Sequence, residues 1–323
     1  MQSLNNMKIV PQLVFVVIFC VGQITSEQES TLYPYGASVG DKETPKEDDG
    51  ASPEIESSVP FTFFGRTHKY LYVNNNGVVS FGVPVSTYTP NAFPLADGSP
   101  FVAPYWGDVD NEKSGTVYYR ETTGSALLQR INEEMAKYFP NLHYKATWAF
   151  VATWDDVPYY QSLSKKTNTF QAVLHTDGKR SFIMLNYGKI TWTTGGASGG
   201  NLLTGLGGVP AQAGFNSGDN THYFNIPDSR TDNVININRT SNVDTPGRWV
   251  FQVDTFKAPG GCIFEANFAR YNETFWKDDS CENKCVCNTD GEMKCTDESC
   301  PGFMVCQPSA WHFTCQISLG TCF

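Results

Sequence analysis

The sequence predicts a mainly β (α+β) protein: a β-rich, sandwich-like domain with one helix, followed by a small disulfide-rich C-terminal module. Three observations carry this reading. Short β-prone runs recur on either side of Asn-Gly and Asp-Gly turns, only one segment has helical spacing, and beyond Cys20 every cysteine lies after residue 261. A chain of 323 residues has room for about two domains. Its 14% aromatic content supplies the apolar surface that disordered polyelectrolytes lack. The formal net charge of -10 argues against nucleic acid as a partner, since a phosphate-backbone binder needs clustered Lys and Arg.

The elements follow in chain order. Lys8 precedes the apolar run Leu13 to Gly22, then small and polar residues, the pattern of a secretory signal peptide over residues 1–26. The apolar core is too short for a bilayer span, and no later segment supplies one. Residues 27–59 form an acidic lead-in centred on Lys46-Glu47-Asp48-Asp49-Gly50, which by composition alone is a solvated linker. Phe61 to Gly65 is β-prone. Tyr70 to Val73 and Val78 to Phe81 flank Asn74-Asn75-Asn76-Gly77, a hairpin signal because Asn and Gly tolerate positive φ. Leu127, Leu128, Ile131, Met135 and Tyr138 share one helical face, closed by Pro140. Thr147 to Trp154 is a strand, and Thr169 to Leu174 turns at Asp177-Gly178 into Ser181 to Tyr187. Thr194 to Gly208 holds seven glycines and reads as a long loop; Val234 to Ile237 and Arg248 to Val253 read as strands. The domain spans residues 60–258 and ends near Ala258-Pro259-Gly260-Gly261.

The module at 259–323 carries Cys262, Cys281, Cys285, Cys287, Cys295, Cys300, Cys306, Cys315 and Cys322 with few aliphatic residues, so disulfides replace an apolar core. Cys281-x3-Cys285 and Cys295-x4-Cys300 also fit a four-thiolate zinc spacing, but secretion and the interleaved cysteines favour disulfides. Eight cysteines pair in 105 ways, so connectivity stays open. The ninth is odd. Cys322, one residue from the end of the sequence, is the candidate for an unpaired or intermolecular cysteine and a disulfide-linked dimer.

Candidate chemistry is sparse. Gly196-Ala197-Ser198-Gly199-Gly200 matches a G-x-S-x-G nucleophile elbow in letters, but glycines follow where a helix is required, and only His222 and His312 lie downstream. No catalytic residue is expected. Asp108, Asp110 and Asn111 with Glu112 (GDVDNE), or Asp155-Asp156, offer hard oxygen ligands for a structural calcium ion, without the full calcium-loop pattern. No other cofactor is expected. Asn238-Arg239-Thr240 and Asn272-Glu273-Thr274 are N-glycosylation sequons at Asn238 and Asn272.

Several stretches together resemble the nidogen-type extracellular (NIDO) domain: Tyr72-Val73-Asn74-Asn75-Asn76-Gly77-Val78-Val79-Ser80-Phe81-Gly82, Val102-Ala103-Pro104-Tyr105-Trp106-Gly107-Asp108-Val109-Asp110 and Gly115-Thr116-Val117-Tyr118-Tyr119-Arg120. Asn168-Thr169-Phe170-Gln171, Ala213-Gly214-Phe215-Asn216, Ser241-Asn242-Val243 and Pro246-Gly247-Arg248-Trp249-Val250-Phe251 follow in the same order, so the resemblance covers roughly residues 32–254. Leu32-Tyr33-Pro34-Tyr35-Gly36 and Asp48-Asp49-Gly50 resemble the lead-in of tectorin-type members, which implies that the acidic stretch packs on the domain. The tail, from Glu273-Thr274-Phe275-Trp276 through Cys281, Cys285-Val286-Cys287, Cys295 and Cys300-Pro301, is similar to the Cys-rich spacer modules of tectorin-, zonadhesin- and IgG-Fc-binding-type proteins. In those larger proteins a von Willebrand factor type D module follows, about where this sequence stops. The resemblance implies a secreted, non-enzymatic extracellular matrix glycoprotein acting in cell–matrix adhesion, with matrix proteins or cell-surface glycoproteins as partners. A soluble module binding glycans or mucus glycoproteins is the alternative.

Overall fold

The computed structural model describes residues 31–289, 291–309 and 311–317. The signal-peptide segment and Cys322 lie outside these residues.

Two six-stranded antiparallel sheets face each other. The first has the order β1-β6-β7-β8-β9-β12, formed by β1 (Lys42–Glu43), β6 (Thr116–Thr122), β7 (Trp148–Val157), β8 (Asn168–Thr176), β9 (Ser181–Tyr187) and β12 (Arg248–Gln252). The second has the order β11-β10-β5-β4-β3-β2, formed by β2 (Ile55–Phe63), β3 (Arg66–Asn74), β4 (Val78–Phe81), β5 (Phe101–Trp106), β10 (Gln212–Asn216) and β11 (Tyr223–Asn225). Helix α1 (Ser125–Tyr138) lies between β6 and β7 in the chain.

The alternation of side chains along a strand explains why the first sheet is buried on both faces. In β7, Trp148, Phe150, Ala152 and Trp154 enter the core between the sheets, while Ala149 and Val151 face α1. In β9, Ile183 and Leu185 point inward, and Phe182 and Met184 point outward. Leu128, Ile131 and Met135 of α1 cover that outer face, as their helical spacing predicts. Tyr33 of the lead-in fills the rest, its backbone N–H donating to Gln171 Oε1 at 3.0 Å. Arg248, 2% exposed on β12, is neutralised there by Glu134 of α1 at 2.7 Å. The outer face of the second sheet has its own patch: Val78, Phe101, Ala103 and Trp106 under Phe93.

Two expectations are corrected. Val234 to Ile237, read as a strand, lies in a 3₁₀ helix over Asp232–Arg239. Thr231 caps it by accepting from the Asn233 N–H at 3.2 Å, and Val234 and Ile237, three residues apart, fall on the same side and are buried. The placement of two apolar residues in the core thus outweighs the β propensity of Val and Ile. Strand β2 begins at Ile55, so the lead-in runs into the second sheet without a break. The acidic segment is no solvated linker: β1 pairs with Tyr118 and Tyr119 of β6, and Thr44 and Ser52 are buried.

Beyond Ala258 the hairpin of β13 (Gly261–Phe264) and β14 (Asn267–Arg270) precedes a five-stranded sheet. Its order is β17-β16-β15-β19-β18, from β15 (Thr274–Trp276), β16 (Asn283–Cys287), β17 (Met293–Asp297), β18 (Met304–Ser309) and β19 (His312–Ile317). Disulfides join Cys262–Cys287, Cys281–Cys306, Cys285–Cys295 and Cys300–Cys315. The apolar centre of the tail consists of Cys262, Cys285 and Cys287 around Ala269 and Phe275. With these eight sulfurs in disulfides, the zinc spacing has no thiolates to offer.

A pH dependence follows from His175 on β8. Its ring is fully buried, stacked on Phe182, with Nδ1 2.6 Å from the Tyr144 hydroxyl. Burial pushes its pKa down to about 3, with Asp177 opposing and Arg248 reinforcing the shift. A depressed histidine contributes stability that is complete above the unfolded value near 6.5 and is lost as pH falls toward 3. Wild type should therefore lose roughly 2 kcal/mol between pH 7.5 and pH 5 that His175→Leu does not lose. Paired urea titrations at the two pH values check this; equal losses in the two proteins would refute it.

Candidate functional site

The site grows from the turn between β3 and β4. Asn74, Asn75 and Asn76 are each 1% exposed or less, which is unusual for three consecutive amides in a hairpin turn. Each is buried because it is fully used. Asn74 Nδ2 donates to the Val78 carbonyl at 3.0 Å, and its Oδ1 accepts from the Val85 N–H. Asn75 reaches the lead-in: Nδ2 donates to the carbonyls of Pro45 and Glu47 at 3.1 and 2.6 Å, Oδ1 accepts from the Thr44 hydroxyl, and its backbone N–H donates to Gly50. The Asn75 carbonyl accepts from Trp154 Nε1 of the opposite sheet at 3.0 Å. Asn76 Nδ2 donates to Asp49 at 2.7 Å, and its Oδ1 accepts from the Val109 N–H at 2.9 Å. Gly77 lets the turn press on β5. Its φ is +85°, and a Cβ there would sit 1.9 Å from the Tyr105 carbonyl oxygen.

The turn thereby brings the Asp48-Asp49 loop against the Gly107-to-Glu112 connection. Asp48, Asp49 and Asp108 each place a carboxylate oxygen within 4.8 Å of the others. Asp108, 2% exposed, accepts from the Ala197 N–H at 3.1 Å, so the glycine-rich loop closes one side. Burial pushes its carboxyl up to about 7, against the Ala197 bond and with help from Asp48, Asp49 and Asp110. Asp48 is pushed up to about 6 by burial, then by Asp49, Asp110 and Glu112. The oxygens Asp48 Oδ1 and Asn111 Oδ1 are buried without a hydrogen-bond partner.

Of the calcium candidates, Asp108 belongs to this acidic pocket, and Asn111 lies against the lead-in, its Nδ2 donating to the Pro45 carbonyl at 3.2 Å. The Asp110 carboxylate instead caps the Lys113 N–H at 3.0 Å, and Asp155 and Asp156 are engaged by the Tyr35 hydroxyl and by Lys189. Asp48 and Asp49 were not foreseen as members of the pocket; the signal for them was the run of amides in Asn74-Asn75-Asn76, whose donors need acceptors. The hydrolase candidate does not assemble. Ser198 Oγ lies 2.8 Å from Thr89 Oγ1, and the residues after it form turns. His222 is held by Asp219 at 2.6 Å and stacks on Phe64, while His312 packs on Phe275 in the tail. The two sequons differ: Asn272 is exposed, whereas Asn238 is half-buried and its Nδ2 donates to the Gly188 carbonyl at 3.0 Å.

A sandwich of two antiparallel sheets with a buried asparagine turn is followed by a disulfide-built module, a framework of the kind that persists in oxidising compartments. The sequence profile of the nidogen-like domain matches residues 69–255, and the chain belongs to that family. It is similar to alpha-tectorin of Homo sapiens, 46% identical over 311 residues, which is 94% of this chain and 14% of that protein. Nidogen-1 of Mus musculus is 32% identical over 72% of this chain and 19% of its own length. Dendrite extension defective protein 1 of Caenorhabditis elegans is 31% identical over 71% of this chain and 19% of its own length. The chain thus spans less than a fifth of each of these relatives. No solved structure matches it. It is a tectorin-like, secreted extracellular matrix protein with a NIDO domain, and no helix among the described residues is long and apolar enough to cross a membrane.

Substitution at the turn separates close approach from backbone strain. Gly77→Ala should cost roughly 2–5 kcal/mol, the left-handed conformation plus the clash with Tyr105. Gly65→Ala has φ +73° but open space around its Cβ, so it should cost only about 1–2 kcal/mol. Urea midpoints of the two variants test the difference; equal costs would show that the contact with Tyr105 is unimportant.

Proposed function

We propose that this chain is a non-enzymatic matrix glycoprotein acting in cell–matrix adhesion. The observation that carries the reading is the nidogen-like match over residues 69–255 together with 46% identity to alpha-tectorin across 94% of the chain. A non-catalytic role is supported by Ser198, whose hydroxyl is bonded to Thr89, while His222 is held by Asp219 and His312 packs on Phe275. Its partners are extracellular matrix proteins or cell-surface glycoproteins, and its interactions need neither nucleic acid nor a membrane span. Asn272, on an exposed turn, is the favoured glycan acceptor, ahead of Asn238. The domain division at residue 259 and a disulfide-linked dimer through Cys322 belong to the same proposal. The dimer is supported by the internal pairing of the other eight tail cysteines.

Intact secreted protein should be retained saturably on decellularised matrix, and retention should survive enzymatic removal of glycans from that matrix. Retention lost with the glycans, or seen only on mucin, would favour the glycan-binding alternative and overturn adhesion through matrix proteins. Non-reducing electrophoresis of the same preparation, with Cys322→Ser alongside, should show a dimer only in wild type. Glycosidase treatment should shift the mass of wild type, and Asn272→Gln should abolish most of that shift.

A further inference from the structure

Among the described residues, no Lys, Arg or His forms an ion pair with the carboxylates of the acidic pocket. Asp48, Asp49 and Asp108 bring three carboxylates together, and two N–H groups reach them, Asn76 Nδ2 on Asp49 and the Ala197 amide on Asp108. The other donors in the neighbourhood are spent on backbone: both Asn75 Nδ2 and Asn111 Nδ2 bond the Pro45 carbonyl, three residues before Asp48.

Asn111 gives a second and independent sign. It is 1% exposed and carries no charge, so it is no part of an acidic surface. The bond from its nitrogen to Pro45, at 3.2 Å, fixes the amide against the lead-in and leaves Oδ1 as a buried acceptor with no donor. Pro45, whose carbonyl it bonds, lies three residues before Asp48, which places Asn111 beside the same loop. Asp48 Oδ1 is a second buried acceptor without a donor. A buried acceptor left unpaired costs about 1–3 kcal/mol, and here two occur, one on a carboxylate of the cluster and one on an amide held against the same lead-in. A bound cation satisfies all of them at once.

We infer that Asp48, Asp49, Asp108 and the side-chain oxygen of Asn111 form a calcium site that clips the lead-in to the sandwich. Only hard oxygen donors are present, without thiolate or imidazole, which selects an alkaline-earth ion over zinc or copper. The ligands come from two irregular loops, and calcium tolerates such geometry where magnesium demands a near-ideal octahedron. Affinity in the range of extracellular modules, about 10⁻⁴–10⁻³ M, is expected.

The test uses the whole secreted chain, stripped with chelator and titrated with CaCl2 or MgCl2. Calorimetry should show one calcium per chain. At a concentration ten times Kd, the apparent folding constant should rise about eleven-fold, and proteolysis within residues 31–54 should slow in step. Terbium luminescence sensitised by tryptophan, and displaced by calcium, reads the site in the unmutated protein. Asp48→Asn, at a half-exposed position, and Asn111→Leu should each weaken calcium at least ten-fold while all four tail disulfides still form. Absence of calcium binding to folded wild type up to 10 mM (about ten times the weakest affinity expected) would overturn the inference. So would unchanged affinity in Asn111→Leu, or magnesium binding as tightly as calcium.

Discussion

A hairpin turn made of three buried amides is the constraint on which the rest of this domain depends. Turns normally lie at the surface because their backbone groups need water. Here Asn74, Asn75 and Asn76 replace water with protein partners from four directions: their own hairpin, the lead-in, the connection after β5, and Trp154 in the opposite sheet. A buried polar network of this kind stabilises only when it is complete, since each missing partner leaves a desolvated group. The lead-in is therefore part of the fold. It supplies the carbonyls of Pro45 and Glu47 without which the Asn75 amide would be stranded.

The same economy of covering surfaces appears on the far side of the first sheet. Strands β7 to β9 are buried on both faces, and neither α1 nor the lead-in covers the outer one alone. Tyr33 lies between them, with the guanidinium groups of Arg130 and Arg248 at 4.6 and 5.3 Å from its ring centre. The Arg248–Glu134 pair lets a charge sit in this layer at acceptable cost because both ends are satisfied. The lead-in thus serves both sheets, as a polar partner to one and an apolar lid to the other. The tail solves its stability differently, with half-cystines occupying the positions that Trp and Phe occupy in the sandwich.

How legible this was in the sequence depended on whether the deciding contacts were local. Asn-Gly and Asp-Gly turns placed the β3–β4 and β8–β9 hairpins, because positive φ is a property of the residues themselves. The spacing of Leu128, Ile131 and Met135 placed α1 for the same reason. Strands β5 and β10 were visible only as family motifs: Pro104 interrupts one and Gly214 the other, and long-range pairing overrides both. Val234 and Ile237 misled because β-branched side chains fit a 3₁₀ turn once the core demands two apolar residues three apart. Half of the proposed calcium site was legible in Asp108 and Asn111. Asp48 and Asp49 were not, since a run of acidic residues looks solvated until the amides that fold it inward are located.

The central claim is that the asparagine turn holds the lead-in against the sandwich. Hydrogen exchange of Asn75→Ala, followed by mass spectrometry, tests it most directly. Asn75 contributes three side-chain bonds to residues 44–47 but none to α1. The account predicts that peptides covering residues 42–50 exchange at least about ten-fold faster than in wild type, a loss of some 1.4 kcal/mol of local protection. Peptides from α1 and from β8–β9 should keep their wild-type rates. Unchanged protection of residues 42–50, with the rest of the domain intact, would contradict it.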